Sequence, residues 1–248
     1  MIDYVIGGWS QKTGDLPPSQ FSYTMYGMIT NLQGLTSGLP TSSGWSPAST
    51  PKPDVAGKVL WTYGGGGAVP DNMPATQSDI QAIISATDTQ DWDGIDVDDE
   101  SNMDINNIIA TMKQLKQEQK ETSYTFLAGW NYNNQNASSA GATTNKNIQQ
   151  IVAADVCDRF PLMCYATSMW SMDDIVANVG PAIERTIAHV GDPKKVFLAL
   201  TPVGLNQENL AYFLNQVTTN DIGGLFVWNF PILKDADLVT ICEQLGIS

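Results

Sequence analysis

Asp91-Trp92-Asp93-Gly94-Ile95-Asp96-Val97-Asp98-Asp99-Glu100 decides how the rest of this 248-residue chain is read. Successive side chains of a strand point to opposite faces. On that period Asp96, Asp98 and Glu100 share one face, and Ile95 and Val97 share the other. Isoleucine and valine suit packing against helices. Three carboxylates on the inner face of a parallel barrel would climb toward its C-terminal mouth, where such barrels carry their active sites. Stacked carboxylates repel and are costly to desolvate, so some must hold their protons above the ordinary range. A carboxyl of that kind serves as a general acid near neutral pH. Glu100, nearest the mouth and with the longest arm, is the natural proton donor. A solvated acidic turn or a calcium loop is the competing reading. A calcium loop needs a placed glycine and non-strand geometry, and Ile95 and Val97 argue for a strand.

Working outward, short apolar runs recur at Tyr4–Gly8, Tyr23–Ile29, Val59–Tyr63, Gly94–Val97, Tyr124–Ala128, Leu162–Tyr165, Val196–Leu200 and Leu225–Trp228. They are apolar throughout rather than alternating, as parallel strands covered by helices are. Helical patterns separate the later ones: Ser78–Thr87, Met103–Glu121, Asn147–Ala154, Asp173–Val190, Gln207–Val217 and Ala236–Leu245. Met103–Glu121 carries Ile105, Ile108, Ile109, Met112 and Leu115 at helical spacing. Gly180-Pro181 predicts a kink or interruption in the fourth of these helices. Eight strands alternating with helices predict one α/β (β/α)8 TIM barrel spanning 1–248 as a single catalytic domain.

The stretch Asn31–Gly57 breaks the alternation. It holds Gly34, Gly38, Pro40, Gly44, Pro47, Pro51 and Pro53 among many Ser and Thr residues. An irregular segment replacing or shortening the second helix is expected there, with Trp45 exposed; an interdomain linker is the alternative.

Charged residues make up only 15% of the chain, and the formal net charge is -14. Nucleic acid and anionic membranes, which need a basic partner, are poor fits, whereas an uncharged polysaccharide meets no such objection. No apolar run is long enough to span a bilayer. The three cysteines, Cys157, Cys164 and Cys242, lack metal-ligand spacing, and the one histidine, His189, falls within a helix away from strand ends. A zinc site or a Ser-His-Asp triad is hard to build from these, and no metal or cofactor is expected. The glycine run 64–67 lacks the Gly-Lys-Ser/Thr continuation of a phosphate loop.

Asp93-Gly-Ile-Asp96-Val-Asp98-Asp-Glu100 resembles the DxxDxDxE signature of glycoside hydrolase family 18, complete at all four acidic positions. Other segments agree in order. Thr62-Tyr63-Gly64-Gly65 resembles the element closing the third strand, Met163-Cys164-Tyr165 the Met-x-Tyr of the sixth, and Trp228 the tryptophan closing the eighth. One position departs: Ala166 stands where many members carry Asp.

The resemblance implies a retaining glycosidase acting on β-1,4-linked N-acetylglucosamine chains by substrate-assisted catalysis. It implies Glu100 as acid, Asp98 as the group orienting the acetamido, Asp96 sharing a proton or hydrogen bond with Asp98, and Tyr165 holding the acetamido oxygen. Trp228 would floor the reacting sugar, with Gly64, Gly65 and Met163 beside it. Trp130 and Trp170 are further candidates for the cleft. Asp93 is grouped with the binding residues, although strand support is the part expected of it. Chitin or its oligomers are the expected partner and a monomer the expected state. Secretion is expected, although no signal peptide is visible. An endo-β-N-acetylglucosaminidase and a non-catalytic lectin are the alternatives.

Overall fold

The apolar runs form parallel strands that close into a barrel in sequence order, each paired with its neighbours and β8 paired back to β1. The computed structural model describes residues 4–30, 32, 35, 44–66, 74–100, 102–127, 139–164 and 171–248. The strands are β1 Val5–Ser10, β2 Tyr23–Ile29, β3 Lys58–Gly64, β4 Gly94–Asp99, β5 Glu121–Leu127, β6 Phe160–Met163, β7 Val196–Leu200 and β8 Gly224–Trp228. Six helices are present among the described residues: α1 Gln77–Thr89, α2 Ile105–Gln117, α3 Ser139–Ala154, α4 Met172–Val190, α5 Gln207–Thr219 and α6 Asp235–Leu245. The (β/α)8 architecture expected from the sequence is therefore the observed one.

The pleat sorts the side chains as the period predicts. Ile95 and Val97 are buried in the layer between barrel and helices. Inside the barrel, Trp9, Met25, Leu60, Met163, Phe197, Ala199 and Phe226 form a second, smaller apolar cluster. This cluster fills the lumen, so the barrel is a packed core and not a pore.

Helix boundaries follow from capping. Thr76 and Ser171 make reciprocal capping boxes at α1 and α4, each satisfying two otherwise orphaned N–H groups. The second helix is shorter than its apolar spacing suggests. Asp104 caps it by accepting from the N–H groups of Asn106 and Asn107, and Gln119 takes a left-handed φ of 61° before β5 begins at Glu121. The kink expected at Gly180-Pro181 is absent as an interruption, because α4 runs unbroken from Met172 to Val190. Its buried face, Ile175, Val179, Ala182, Ile183 and Thr186, and its αL cap at Gly191 hold the helix together across the missing N–H.

The early connections differ from the later ones. Residues 11–22 join β1 to β2 without a helix. Leu32 and Leu35 are helical and buried, so the segment after β2 is not irregular throughout, whereas residues 44–57 contain no helix or strand. Trp45 is not freely exposed as expected. Its ring stacks on Trp92 at 5.7 Å, and its Nε1–H donates to the Gln11 carbonyl. Trp92 in turn donates to the Pro47 carbonyl. This aromatic pair gives the 44–57 segment the apolar contact that a covering helix would supply.

Candidate active site

β4 carries Asp96 and Asp98 up the inside of the barrel, and Glu100 follows directly at its end. Asp96 is fully buried, yet its carboxylate is saturated. Trp9 Nε1 and Thr62 Oγ1 donate to Oδ2 at 2.8 and 3.1 Å, and Thr125 Oγ1 donates to Oδ1 at 2.7 Å. Those donors come from β1, β3 and β5. They point at Asp96 because the register sets Thr62 opposite Asp96 and Thr125 opposite Asp98, all on the inward period.

One step toward the mouth, Asp98 is 2% exposed, and its Oδ1 has no hydrogen-bond partner among the described residues. Burial pushes its carboxyl well above the usual carboxylate range, and the negative charges of Glu100, Asp96 and Asp99 push the same way. Glu100 lies just beyond the strand and is half-buried. Burial raises its pKa, the Gly66 backbone N–H opposes that, and Asp99 adds to the rise. Two carboxyl groups that resist ionisation therefore sit at the C-terminal end of β4 and titrate as a unit. A group kept protonated in this way can deliver a proton to a leaving oxygen.

The glycines beside them are there for close approach. Gly64 has a φ of 112°, and a Cβ on it would lie 2.2 Å from the Asp98 carbonyl oxygen and 2.5 Å from Met103 Cε. Gly65 has a φ of 104° and donates its N–H to that same carbonyl at 2.9 Å. Across the lumen, Trp228 ends β8 half-buried, in register with Trp9 and packed against the inner apolar cluster that holds Met163.

Of the residues singled out in the sequence, Asp96, Asp98, Glu100, Gly64 and Gly65 converge on one end of the barrel, and Trp228 ends β8 across the lumen. Asp93 lies at the opposite end of β4. It accepts the Val59 N–H at 2.8 Å and pairs with Lys52 at 3.0 Å. It supports β3 and is separated from Glu100 by the length of the strand. Tyr165, Trp130 and Trp170, and Ala166 with them, lie outside the described residues. A cleft of about 770 Å³ opens at the same N-terminal end, bordered by Tyr4, Lys52, Lys58 and Asp93. It lies on the far side of the barrel from the paired carboxyl groups. Among the described residues no cluster of His, Cys, Asp and Glu is arranged to hold a metal ion.

Sequence reading missed Trp9 and Thr125 as supports of Asp96. Each occupies an inward position of its strand, which the period-two rule could have flagged. It also passed over Tyr124 and Asp99, which face away from the lumen.

No family model matches the chain, and no curated protein matches it. Solved structures do. A GH18 chitinase from Pseudoalteromonas aurantia is 15% identical with a TM-score of 0.68, over 97% of this chain and 99% of that one. Active domain 2 of a thermostable chitinase from Pyrococcus furiosus, complexed with chito-oligosaccharides, is 13% identical with a TM-score of 0.67, over 92% and 84%. A fungal endo-β-N-acetylglucosaminidase from glycosyl hydrolase family 18 is 16% identical with a TM-score of 0.63, over 90% and 89%. At such identities the likeness is one of fold.

Proposed function

We propose that this chain is a retaining glycosidase of the family 18 type that hydrolyses β-1,4-linked N-acetylglucosamine chains, with Glu100 as its general acid. The observation that carries this reading is the pair formed by Asp98 and Glu100. Both hold protons above the ordinary carboxylate range at the barrel mouth, over an Asp96 bound by three donors.

In this mechanism Glu100 gives its proton to the glycosidic oxygen as that bond breaks. The acetamido oxygen of the substrate attacks the anomeric carbon and forms an oxazolinium ion. Asp98, whose Oδ1 has no hydrogen-bond partner among the described residues, accepts from the acetamido N–H and stabilises the positive charge that grows there. Asp96 stays in place beneath it and lends Asp98 a negative neighbour. Water then enters from the face the leaving group vacated, Glu100 takes its proton, and the anomeric configuration is retained. Trp228 would offer its ring to the apolar face of the reacting sugar. Tyr165, from the sequence motif, would fix the acetamido oxygen, a proximity effect.

Hydrolysis of a chitin tetramer by the wild type and by Glu100→Gln is the test. Cleavage that disappears in the variant while binding persists supports the reading. Binding without cleavage in the wild type would replace it with a lectin. Inertness toward the tetramer together with cleavage of a high-mannose glycopeptide would move the substrate to N-glycan cores.

A further inference from the structure

Asp99 stands back to back with the paired carboxyl groups. The pleat that turns Asp98 into the lumen turns Asp99 out through the wall, between β4 and β5. Both of its oxygens are held there. Tyr124 Oη donates to Oδ2 at 2.7 Å, and the Met103 backbone N–H donates to Oδ1 at 3.0 Å. Asn147 Nδ2 of α3 donates onward to Tyr124 Oη at 3.4 Å. The carboxylate thus ties the turn between β4 and α2 to a strand and to a second helix. Glu100 is the first residue of that turn. Its far end is fixed too, by Asn102 at a left-handed φ of 56° and by the Asp104 cap of α2.

We propose that Asp99 is a positioning residue: clamped between the Met103 N–H and the Tyr124 hydroxyl, it fixes the turn that aims Glu100 and presents a fixed negative charge to it from behind the barrel wall. The proposal rests on the glycosidase reading for its catalytic consequence. Among the described residues, the charged groups acting on Glu100 are Asp98, on the strand it follows, and Asp99 behind it; Asp96 lies one inward position deeper, and Tyr124 of β5 stands behind Asp99. The segment just after β3 contributes the Gly66 N–H, which does not titrate. Burial is the main cause holding the Glu100 proton on, Gly66 works against it, and Asp99 works with burial. A short side chain facing away from the substrate would in this way act on both the aim and the proton of the acid.

Asp99→Asn keeps an acceptor for the Met103 N–H and removes the charge. The expected result is an alkaline limb of kcat displaced to lower pH, with KM for the chitin tetramer unchanged. Asp99→Ala also frees the turn, and kcat falls on the order of tenfold at every pH, with Tyr124→Phe falling less. A merely structural Asp99 would lower the melting temperature and leave the limb where it is, which would overturn the proposal. Carbon-13 NMR of the Glu100 carboxyl in the wild type and Asp99→Asn gives a readout independent of turnover. A lower midpoint in the variant supports the proposal, and identical midpoints overturn it. A shifted midpoint in a protein that cleaves no substrate would remove the glycosidase reading and leave the link between Asp99 and Glu100 standing.

Discussion

Trp9 and Asp96 are 87 residues apart in the chain and joined across the lumen, the indole Nε1–H donating to the carboxylate at 2.8 Å. Trp9 also packs edge-on against Phe226, with ring centroids 5.5 Å apart. It therefore anchors the carboxylate stack to the apolar filling beneath it. Trp9→Phe keeps the ring and deletes the donor, leaving Asp96 with two hydroxyl partners. The expected cost is about 1–3 kcal/mol, since a buried acceptor loses a partner that water cannot replace. Urea denaturation of the two proteins measures it. Equal midpoints would mean that the two threonines suffice.

Asp98 makes stability and activity pull apart. Its folded pKa is raised, chiefly by burial. A group raised on folding contributes stability that is fully present below its ordinary value, 3.8 for this residue, and that is lost as pH rises through the folded value. At neutral pH the folded protein bears the cost of ionising a sealed carboxyl, whose Oδ1 has no partner among the described residues. Asp98→Asn removes that cost. Its melting temperature should exceed that of the wild type at pH 7 by a margin that shrinks as pH falls toward the ordinary aspartate range. Hydrolysis should be lost, since the amide cannot take up the acetamido N–H in the same way. Thermal melts across pH decide the matter, and a variant less stable at neutral pH would contradict the sign. Function of this kind is commonly held at the expense of stability.

Two neighbouring glycines should respond differently. In Gly64→Ala the new methyl would meet backbone at 2.2 Å in a left-handed conformation, so the β3–β4 register must shift. A loss of about 2–4 kcal/mol is expected, together with activity. In Gly66→Ala the methyl would lie 3.5 Å from Glu100 Oε1, an ordinary contact on an exposed residue. Stability should change by less than about 0.5 kcal/mol, while kcat drops because the methyl takes the place of solvent beside the acid. Paired measurements of melting temperature and kcat separate the two effects.

What the sequence disclosed and what it hid follow from the range of the forces involved. The strand of Asp96, Asp98 and Glu100 was legible because alternation is local: Ile95 and Val97 could only be an outer face. The later helices were legible from their apolar spacing. Hidden were the effects that need two distant segments. The hydrogen bonds from Trp9 and Thr125 to Asp96 depend on barrel closure and register, and the tie from Asp99 to Tyr124 depends on the β4–β5 pairing. Trp45 reads as a stray aromatic in a Ser/Pro-rich stretch until Trp92 is placed beside it. Pro181 signals an interruption that the buried face of α4 overrides, because tertiary packing outweighs local preference.

The barrel floor offers the opposite case, stability without catalysis. Arg159 is 4% exposed where β2, β5 and β6 begin. Its Nη1 pairs with Glu121 Oε2 at 2.9 Å, its guanidinium carbon lies 4.0 Å from the centre of the Tyr23 ring, and Nε and Nη2 have no partner among the described residues. Glu121 is the more exposed of the two and can be solvated when left alone; Arg159 cannot. Removing the anion should therefore cost more than replacing the cation. Glu121→Ala is expected to lose about 3 kcal/mol, since it strands a buried charge. Arg159→Met, which fills the same space with an apolar chain, should lose clearly less. Because the pair sits at the end of the barrel away from Glu100, both variants should keep wild-type kcat on the chitin tetramer wherever they are folded, as residues of the N-terminal face serve stability. Denaturation midpoints together with kcat at low temperature check both halves. A fall in kcat for Arg159→Met in the fully folded protein would show that the floor reaches the mouth through the lumen packing around Phe226.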